Sequence, residues 1–142
     1  MNGRELALSY LDRARKRRAA LAALFKEEAY ADVVREAQEA VELILKGVLR
    51  FAGLEPPKRH DVSRALQQQQ ARFPAFIRDA MDDIVESSGE LAEQRSRAFY
   101  GDEERFIPAS QLFGKDEAEQ AVAVVERLLA LFERLVATKE KP

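Results

Sequence analysis

One amphipathic helix with an abrupt end constrains the fold of this chain more than any other feature. Between Tyr30 and Ala52, apolar side chains recur with the 3.6-residue period of a helix that buries one face. Gly53 then supplies the left-handed conformation that often ends a helix, and Pro56 and Pro57 stop the helix from resuming. The pattern predicts a long core helix followed by a sharp corner.

The corner carries the only histidine of the chain, His60, directly before Asp61. We expect Asp61 to begin and cap a short third helix, because aspartate favours the N-cap position. His60 has two interpretations: a structural side chain at a helix entry, or a general base that needs an orienting or substrate-binding group nearby. A metal site would have to join one imidazole to carboxylates, and no compact acidic cluster stands out. We therefore expect neither a metal nor another cofactor.

The composition indicates a single domain, residues 1–142. Hydrophobic residues make up 46% of the 142 residues and charged residues 34%, which is enough for one helical core. The net charge of -2 gives no overall attraction to nucleic acid or to an anionic membrane. Cysteine is absent, which excludes disulfides and thiolate chemistry. No stretch reaches the roughly 20 apolar residues of a membrane span, so we expect a cytoplasmic protein.

Periodicity in the other segments predicts an all-α fold, an antiparallel up-and-down four-helix bundle with an additional short helix. The predicted elements are helix 3–26, helix 30–52, a short helix from Asp61, a helix from Pro74 to Phe99, a loop at 101–115, a final helix from Asp116 and a frayed tail at 137–142. Ser87 and Glu90 have capping-box spacing, so a break there competes with one long, locally bent helix. We favour the bent helix.

Two polar clusters could contact a ligand. Five basic residues between Arg13 and Arg18 form either a solvated outer face of the first helix or an anion-binding or RNA-binding patch. Farther along, Arg97 and Tyr100 share a helix face, and Asp102 follows the predicted helix end. These three could bind a phosphate or a ribose, or they could form an ion-pair network that fixes the loop. The sequence contains no phosphate-binding glycine loop and no Gly-x-Ser-x-Gly motif.

Together these features resemble the HEPN domain, the "higher eukaryotes and prokaryotes nucleotide-binding" family. The resemblance covers nearly the whole chain and adds Lys46 to the candidate ligand-binding residues. One part of the resemblance lies in the long helix and its end, at Glu39, Glu42, Leu43, Lys46, Leu49 and Gly53. A second part is the segment Pro57-Lys58-Arg59-His60-Asp61-Val62, which is similar to a Pro-x-x-His-Asp-Leu corner. The remaining parts are Arg95-x-Arg97-x-x-Tyr100 and the helix from Asp116 to Phe132.

The resemblance also implies ribonuclease activity, but this sequence departs from the motif that goes with that activity. Many HEPN proteins are similar to ribonucleases, including toxins, whose motif is an Arg, four to six residues, and then a His. No histidine follows Arg95, Arg97 or Arg105 here, and Tyr100 and Asp102 stand five and seven residues after Arg95. Neither residue replaces an imidazole as an acid–base group near pH 7 without a strong pKa shift.

The resemblance therefore implies a non-catalytic binding or regulatory module. Such a module would form a homodimer and pair with a small nucleotidyltransferase in a toxin–antitoxin-like system. Its ligand, a nucleotide or an RNA, would contact Lys46, His60, Arg97, Tyr100 and Asp102. The alternative is an atypical ribonuclease that uses His60 with Arg95 or Arg97. A purely structural scaffold is a third hypothesis.

Overall fold

Residues 3–140, the part of the chain that a computed structural model describes, consist of helices and connecting turns. The elements are α1 Gly3–Lys26, α2 Tyr30–Phe51, α3 Ser63–Gln68, a 3-10 turn Gln70–Arg72, α4 Ala75–Asp79, α5 Met81–Tyr100, α6 Ala109–Leu112 and α7 Lys115–Glu140. Over these residues the extended pairing is limited to an isolated bridge between Asp102 and Ile107. The predicted all-α class is confirmed.

The four long helices alternate in direction, as in an up-and-down bundle. Gly3 lies beside the carbonyl of Arg50 at one end of the α1–α2 pair, and Arg17 contacts Glu36 at the other end. The same reversal relates α2 to α5 and α1 to α7. Among the helices between residues 3 and 140, none has the length and apolar character required to cross a membrane.

Helix α2 lies at the centre of the bundle, as its long apolar face predicts. It packs against α1, α5 and α7, and its buried side chains include Val33, Ile44 and Leu49. Gly47 allows α7 to approach closely, because a Cβ at this position would lie 2.5 Å from Cε2 of Phe132. The helix ends as predicted, with Gly53 at a φ of 80°.

The predicted helix from Pro74 to Phe99 is wrong in one respect: it is divided at Ala80, into α4 and α5. The alternative break at Ser87–Glu90 is also wrong, because those residues are helical. The two serine hydroxyls of this segment are bonded to aspartate side chains. Ser87 Oγ donates to Asp83 and Ser88 Oγ donates to Asp61, so neither hydroxyl competes with the helical backbone.

Three other boundaries differ from prediction. Helix α3 begins at Ser63, because Asp61 precedes the helix and accepts a hydrogen bond from the Ser63 N–H. The predicted loop at 101–115 contains the short helix α6. The frayed tail predicted for 137–142 is helical through Glu140, because buried Leu135 and Val136 hold its base against the core, whereas residues 141–142 lie outside the described residues.

Candidate functional site

A cavity of about 420 Å³ lies where α2, the corner that follows it (residues 52–62) and α5 meet. This volume is within the range of small-ligand sites. One lining residue comes from α2, one from the corner and the others from α5: Arg35, His60, Ala92, Arg95, Ser96, Phe99 and Tyr100. Two guanidinium groups, an imidazole and two aromatic rings therefore surround a single space.

A carboxylate on α2 orients His60. The imidazole Nδ1 lies 2.9 Å from Oε1 of Glu42, whose other oxygen accepts a hydrogen bond from Lys46 Nζ at 3.0 Å. An ionised carboxylate only accepts hydrogen bonds, so this contact assigns neutral His60 to the Nδ1–H tautomer. The Nε2 lone pair is then free for a ligand, and the side chain is 59% exposed.

Glu42 is held in its ionised form by the groups around it. Burial raises the pKa of this carboxyl, but hydrogen bonds from His60, Lys46 and Gln38 lower it by more, and the net pKa lies below its ordinary value. The His60–Glu42 contact is therefore a charge-assisted hydrogen bond at neutral pH.

The guanidinium groups at the cavity are held by acceptors on α2. Arg95 Nη1 donates to Oε1 of Gln38, and Arg95 Nη2 lies 3.4 Å from Oε1 of Glu39. The same Glu39 oxygen lies 3.5 Å from Arg35 Nη2. A guanidinium carries five N–H donors, so these contacts leave donors on both side chains for an anion.

Asp61 fixes the corner against α5. Its Oδ1 accepts hydrogen bonds from the Ser63 N–H at 3.0 Å, from Ser63 Oγ at 2.6 Å and from Ser88 Oγ at 2.8 Å. Burial raises the pKa of this carboxyl, but the hydrogen bonds from Ser63 and Ser88 outweigh burial and lower the pKa. The corner that carries His60 is thereby tied to the helix that carries Arg95.

Two adjacent aromatic side chains form the outer wall of the cavity. Phe99 is 55% exposed and Tyr100 is 61% exposed, and their rings meet edge to face with centroids 4.6 Å apart. The Arg35 guanidinium lies 4.7 Å from the Phe99 ring centroid, within cation–π range. Such rings provide a surface on which a flat heterocycle can stack.

The structure brings together some of the residues that the sequence singled out and separates others. His60, Arg95 and Tyr100 line the cavity, and Lys46 is connected to it through Glu42. Arg97 is exposed on α5, outside the set of lining residues. Asp102 belongs to a turn, where it accepts the Arg105 N–H at 3.2 Å and pairs by backbone with Ile107.

Sequence reasoning missed Arg35, Gln38, Phe99 and the polar role of Glu42. A signal was present, because Gln38, Glu42 and Lys46 are each four residues apart beside an otherwise apolar helix face. Such spacing places polar groups in one row along a helix. The residues that this row contacts depend on how the corner and α5 pack against α2.

Four of the five basic side chains between Arg13 and Arg18 form ion pairs, three of them with carboxylates on neighbouring helices. Arg17 Nη1 lies 2.7 Å from Glu36 and 2.6 Å from Glu39, and Arg15 Nη2 lies 2.7 Å from Glu133. Lys16 and Arg18 also have carboxylate partners. These pairs favour the interpretation as a solvated outer face. Within residues 3–140, no group of three or more His, Cys, Asp or Glu side chains is placed to hold a metal ion.

Comparisons with known proteins identify the family. The HEPN domain model matches residues 7–135. Over 90% of its length, the chain is similar to the crystal structure of TT1696 from Thermus thermophilus, with 26% sequence identity, a TM-score of 0.74 and 96% of that chain covered. No curated protein matches the sequence. The match to the family model spans most of the chain, and this protein therefore belongs to the HEPN domain family.

Proposed function

We propose that this HEPN domain is a non-catalytic regulatory module that binds a nucleotide in the cavity between α2, the corner and α5. The observation that carries the proposal is the combination of exposed aromatic rings with Arg35, Arg95 and His60 around one space. A nucleotide has the matching parts, a flat base and an anionic phosphate. Membership of a nucleotide-binding and ribonuclease-type family supports the same class of ligand.

The phosphate end of the ligand would lie near Arg95 and His60. Arg95 retains unused N–H donors after its contacts with Gln38 and Glu39, and guanidinium groups bind phosphate oxygens in bidentate geometry. When protonated, the exposed edge of His60 adds one more donor. The base would stack on Phe99 and Tyr100, which lie at the open side of the cavity.

Nucleotide titrations with two matched pairs of variants test this proposal. Stacking on an aromatic ring contributes about 1–3 kcal/mol per base, so Tyr100→Ala should weaken ATP binding at least several-fold, and Arg95→Ala should do the same through the phosphate. Phe106→Ala removes a ring that is 93% exposed and outside the cavity. Arg127→Ala removes a guanidinium that contacts Asp83. Both controls should bind ATP like the wild type.

Calorimetry with ATP, ADP, AMP and GTP provides the measurement. The proposal fails if the wild type binds none of these nucleotides, or if the control variants lose as much affinity as the cavity variants. Titration with several nucleotides also shows whether the base or the number of phosphates determines affinity.

The family and the sequence are the basis for proposing which partners this protein has. We propose a homodimer that associates with a small nucleotidyltransferase, as in toxin–antitoxin-like systems. Light scattering of the pure protein tests the dimer, and isolation of a tagged chain from its native host tests the enzyme partner. A monomer, or a chain recovered without a nucleotidyltransferase, contradicts the corresponding part of the proposal.

The contact between His60 and Glu42 favours a second candidate function, RNA cleavage. An imidazole held at Nδ1 by a carboxylate presents Nε2 as a base. Nε2 would take the proton from a ribose 2′-hydroxyl as that oxygen attacks the adjacent phosphorus. The 5′-oxygen would leave with a proton from solvent, and a 2′,3′-cyclic phosphate would remain. Arg95 would offset the charge that develops on the phosphate.

Cleavage assays separate this candidate from the non-catalytic proposal. It predicts products ending in a cyclic phosphate, which disappear in His60→Ala and persist in Lys58→Ala, a change of a nearby cation. An absence of cleavage by the wild type supports the non-catalytic module. Cleavage that survives His60→Ala eliminates the imidazole as the base.

A further inference from the structure

Among the described residues, Gln38 is the one buried polar side chain that contacts α2, the corner and α5, the three parts of the chain that surround the cavity. It is 2% exposed and lies among the apolar residues of the α2 face. Its Nε2 donates to the backbone carbonyl of His60 at 3.1 Å and lies 3.4 Å from Oε1 of Glu42, while its Oε1 accepts from Arg95 Nη1. One side chain thus links α2, the corner and α5.

These contacts require a side chain that both donates and accepts. The His60 carbonyl and the Glu42 carboxylate need a donor, and the Arg95 guanidinium needs an acceptor. Glutamate at this position would keep the acceptor but place a second carboxylate beside Glu42, and leucine would supply neither group. A primary amide satisfies all of these partners at once, which explains why a polar residue occupies a core position.

We infer that Gln38 is a positioning residue that sets the distance and orientation of His60 relative to Arg95 for nucleotide binding. Gln38 is outside the set of residues lining the cavity, so it acts through the two groups that it holds. This inference deepens the proposed function and rests on it for the nucleotide measurement. The orientation of the imidazole is measurable without any ligand.

The single histidine makes the test direct, because the ¹⁵N spectrum of the chain contains one imidazole. Gln38→Leu removes the donor and the acceptor, and Gln38→Glu removes the donor alone. Ser87→Ala is the control, because it deletes a buried polar contact to Asp83 on another side of α5. For each variant, the imidazole ¹⁵N signals, ATP affinity and thermal midpoint are measured.

In both Gln38 variants we expect the His60 signals to move from the Nδ1–H pattern toward a tautomer average, because the corner loses its donor. ATP affinity should fall about tenfold in Gln38→Leu. This change corresponds to the free energy of roughly one hydrogen bond, lost from the contacts that position His60 and Arg95. Gln38→Glu should lose less affinity, because it keeps the Arg95 acceptor. Ser87→Ala should lower the thermal midpoint alone.

A purely structural role gives a different result. If the variants lose thermal stability while the His60 signals and ATP affinity stay as in the wild type, the inference is overturned. If Gln38→Leu does not fold, Gln38→Glu decides with the same measurements. If the wild type binds no nucleotide, the proposed function fails. The positioning role is then overturned as well if the His60 signals of the Gln38 variants are the same as those of the wild type.

Discussion

The imidazole Nδ1 of His60 lies 2.9 Å from the Oε1 atom of Glu42, 18 residues earlier in the chain. Glu42 is on the core helix and His60 is on the corner that follows it, so the contact depends on the turn at Gly53. The carboxylate fixes which imidazole nitrogen is available to a ligand, which the sequence pattern by itself does not reveal.

This contact predicts the tautomer of neutral His60. In long-range ¹H–¹⁵N spectra recorded at alkaline pH, the neutral imidazole should show its proton on Nδ1. Glu42→Ala should move the signals toward the Nε2–H form, because the acceptor that holds the Nδ1 proton is gone. Glu133→Ala, which removes a carboxylate paired with Arg15, should leave them unchanged. A wild-type spectrum dominated by the Nε2–H form contradicts the assigned geometry.

Asp61 predicts how stability changes with pH. Its pKa is lower in the folded chain than in the unfolded chain, where a carboxyl titrates near about 4. The ionised form therefore stabilises the fold fully above the unfolded-state pKa, and this contribution is lost as pH falls through the folded-state pKa. Asp61→Asn should cost about 1–2 kcal/mol at pH 7, because the acceptor oxygen remains but its charge does not.

Urea unfolding at neutral and strongly acidic pH measures this effect. The stability of Asp61→Asn should depend less on pH than that of the wild type, and the two should converge in acid. Asp79→Asn changes an exposed carboxylate and should preserve the wild-type pH dependence. Equal pH dependence in Asp61→Asn and the wild type would mean that the hydrogen bonds from Ser63 and Ser88 do not stabilise the ionised form.

Much of the fold was predictable because periodicity and helix stops are local properties. The long helix from Tyr30 and the stop at Gly53 follow directly from residue order, and both are confirmed. The break at Ala80 was not predictable in this way, because alanine favours helices. The capping-box spacing of Ser87 and Glu90 gave a false signal, since the Ser87 hydroxyl bonds to Asp83 instead of capping a helix.

The candidate site was harder to predict because its contacts are distant in sequence. Arg95 meets Gln38 across 57 residues and Ser88 meets Asp61 across 27 residues. Local pattern places each residue on a helix face or at a corner, but it does not show which faces meet. For example, no orienting partner of His60 is identifiable in the sequence, because its contact with Glu42 depends on how the corner packs against α2.

The close contact at Gly47 predicts opposite effects for two glycine substitutions. Gly47→Ala should lower the free energy of unfolding by about 1–3 kcal/mol, because the new Cβ would lie 2.5 Å from the fully buried Phe132 ring. Gly89→Ala is the matched change in α5, where the Cβ would meet Asp61 Oδ2 at an ordinary 3.7 Å. It should raise stability by about 0.5–1 kcal/mol. Urea unfolding compares them, and a destabilised Gly89→Ala would contradict the ordinary contact distance at that position.

Gly101 and Gly53 provide a second comparison, in which both residues have a positive φ, 74° and 80°. Alanine in the left-handed region costs about 1–2 kcal/mol, and Gly53→Ala should lose only that, because nothing lies within 4 Å of its Cβ position. Gly101→Ala should lose more, because its φ of 74° is combined with a ψ of -158°, a region that only glycine ordinarily adopts, and because its Cβ would collide with the Ile107 carbonyl oxygen and the Ala109 nitrogen. Since Gly101 directly follows Tyr100, only this variant should also weaken ATP binding. Equal losses of stability with unchanged ATP affinity would show that the turn does not support the aromatic wall.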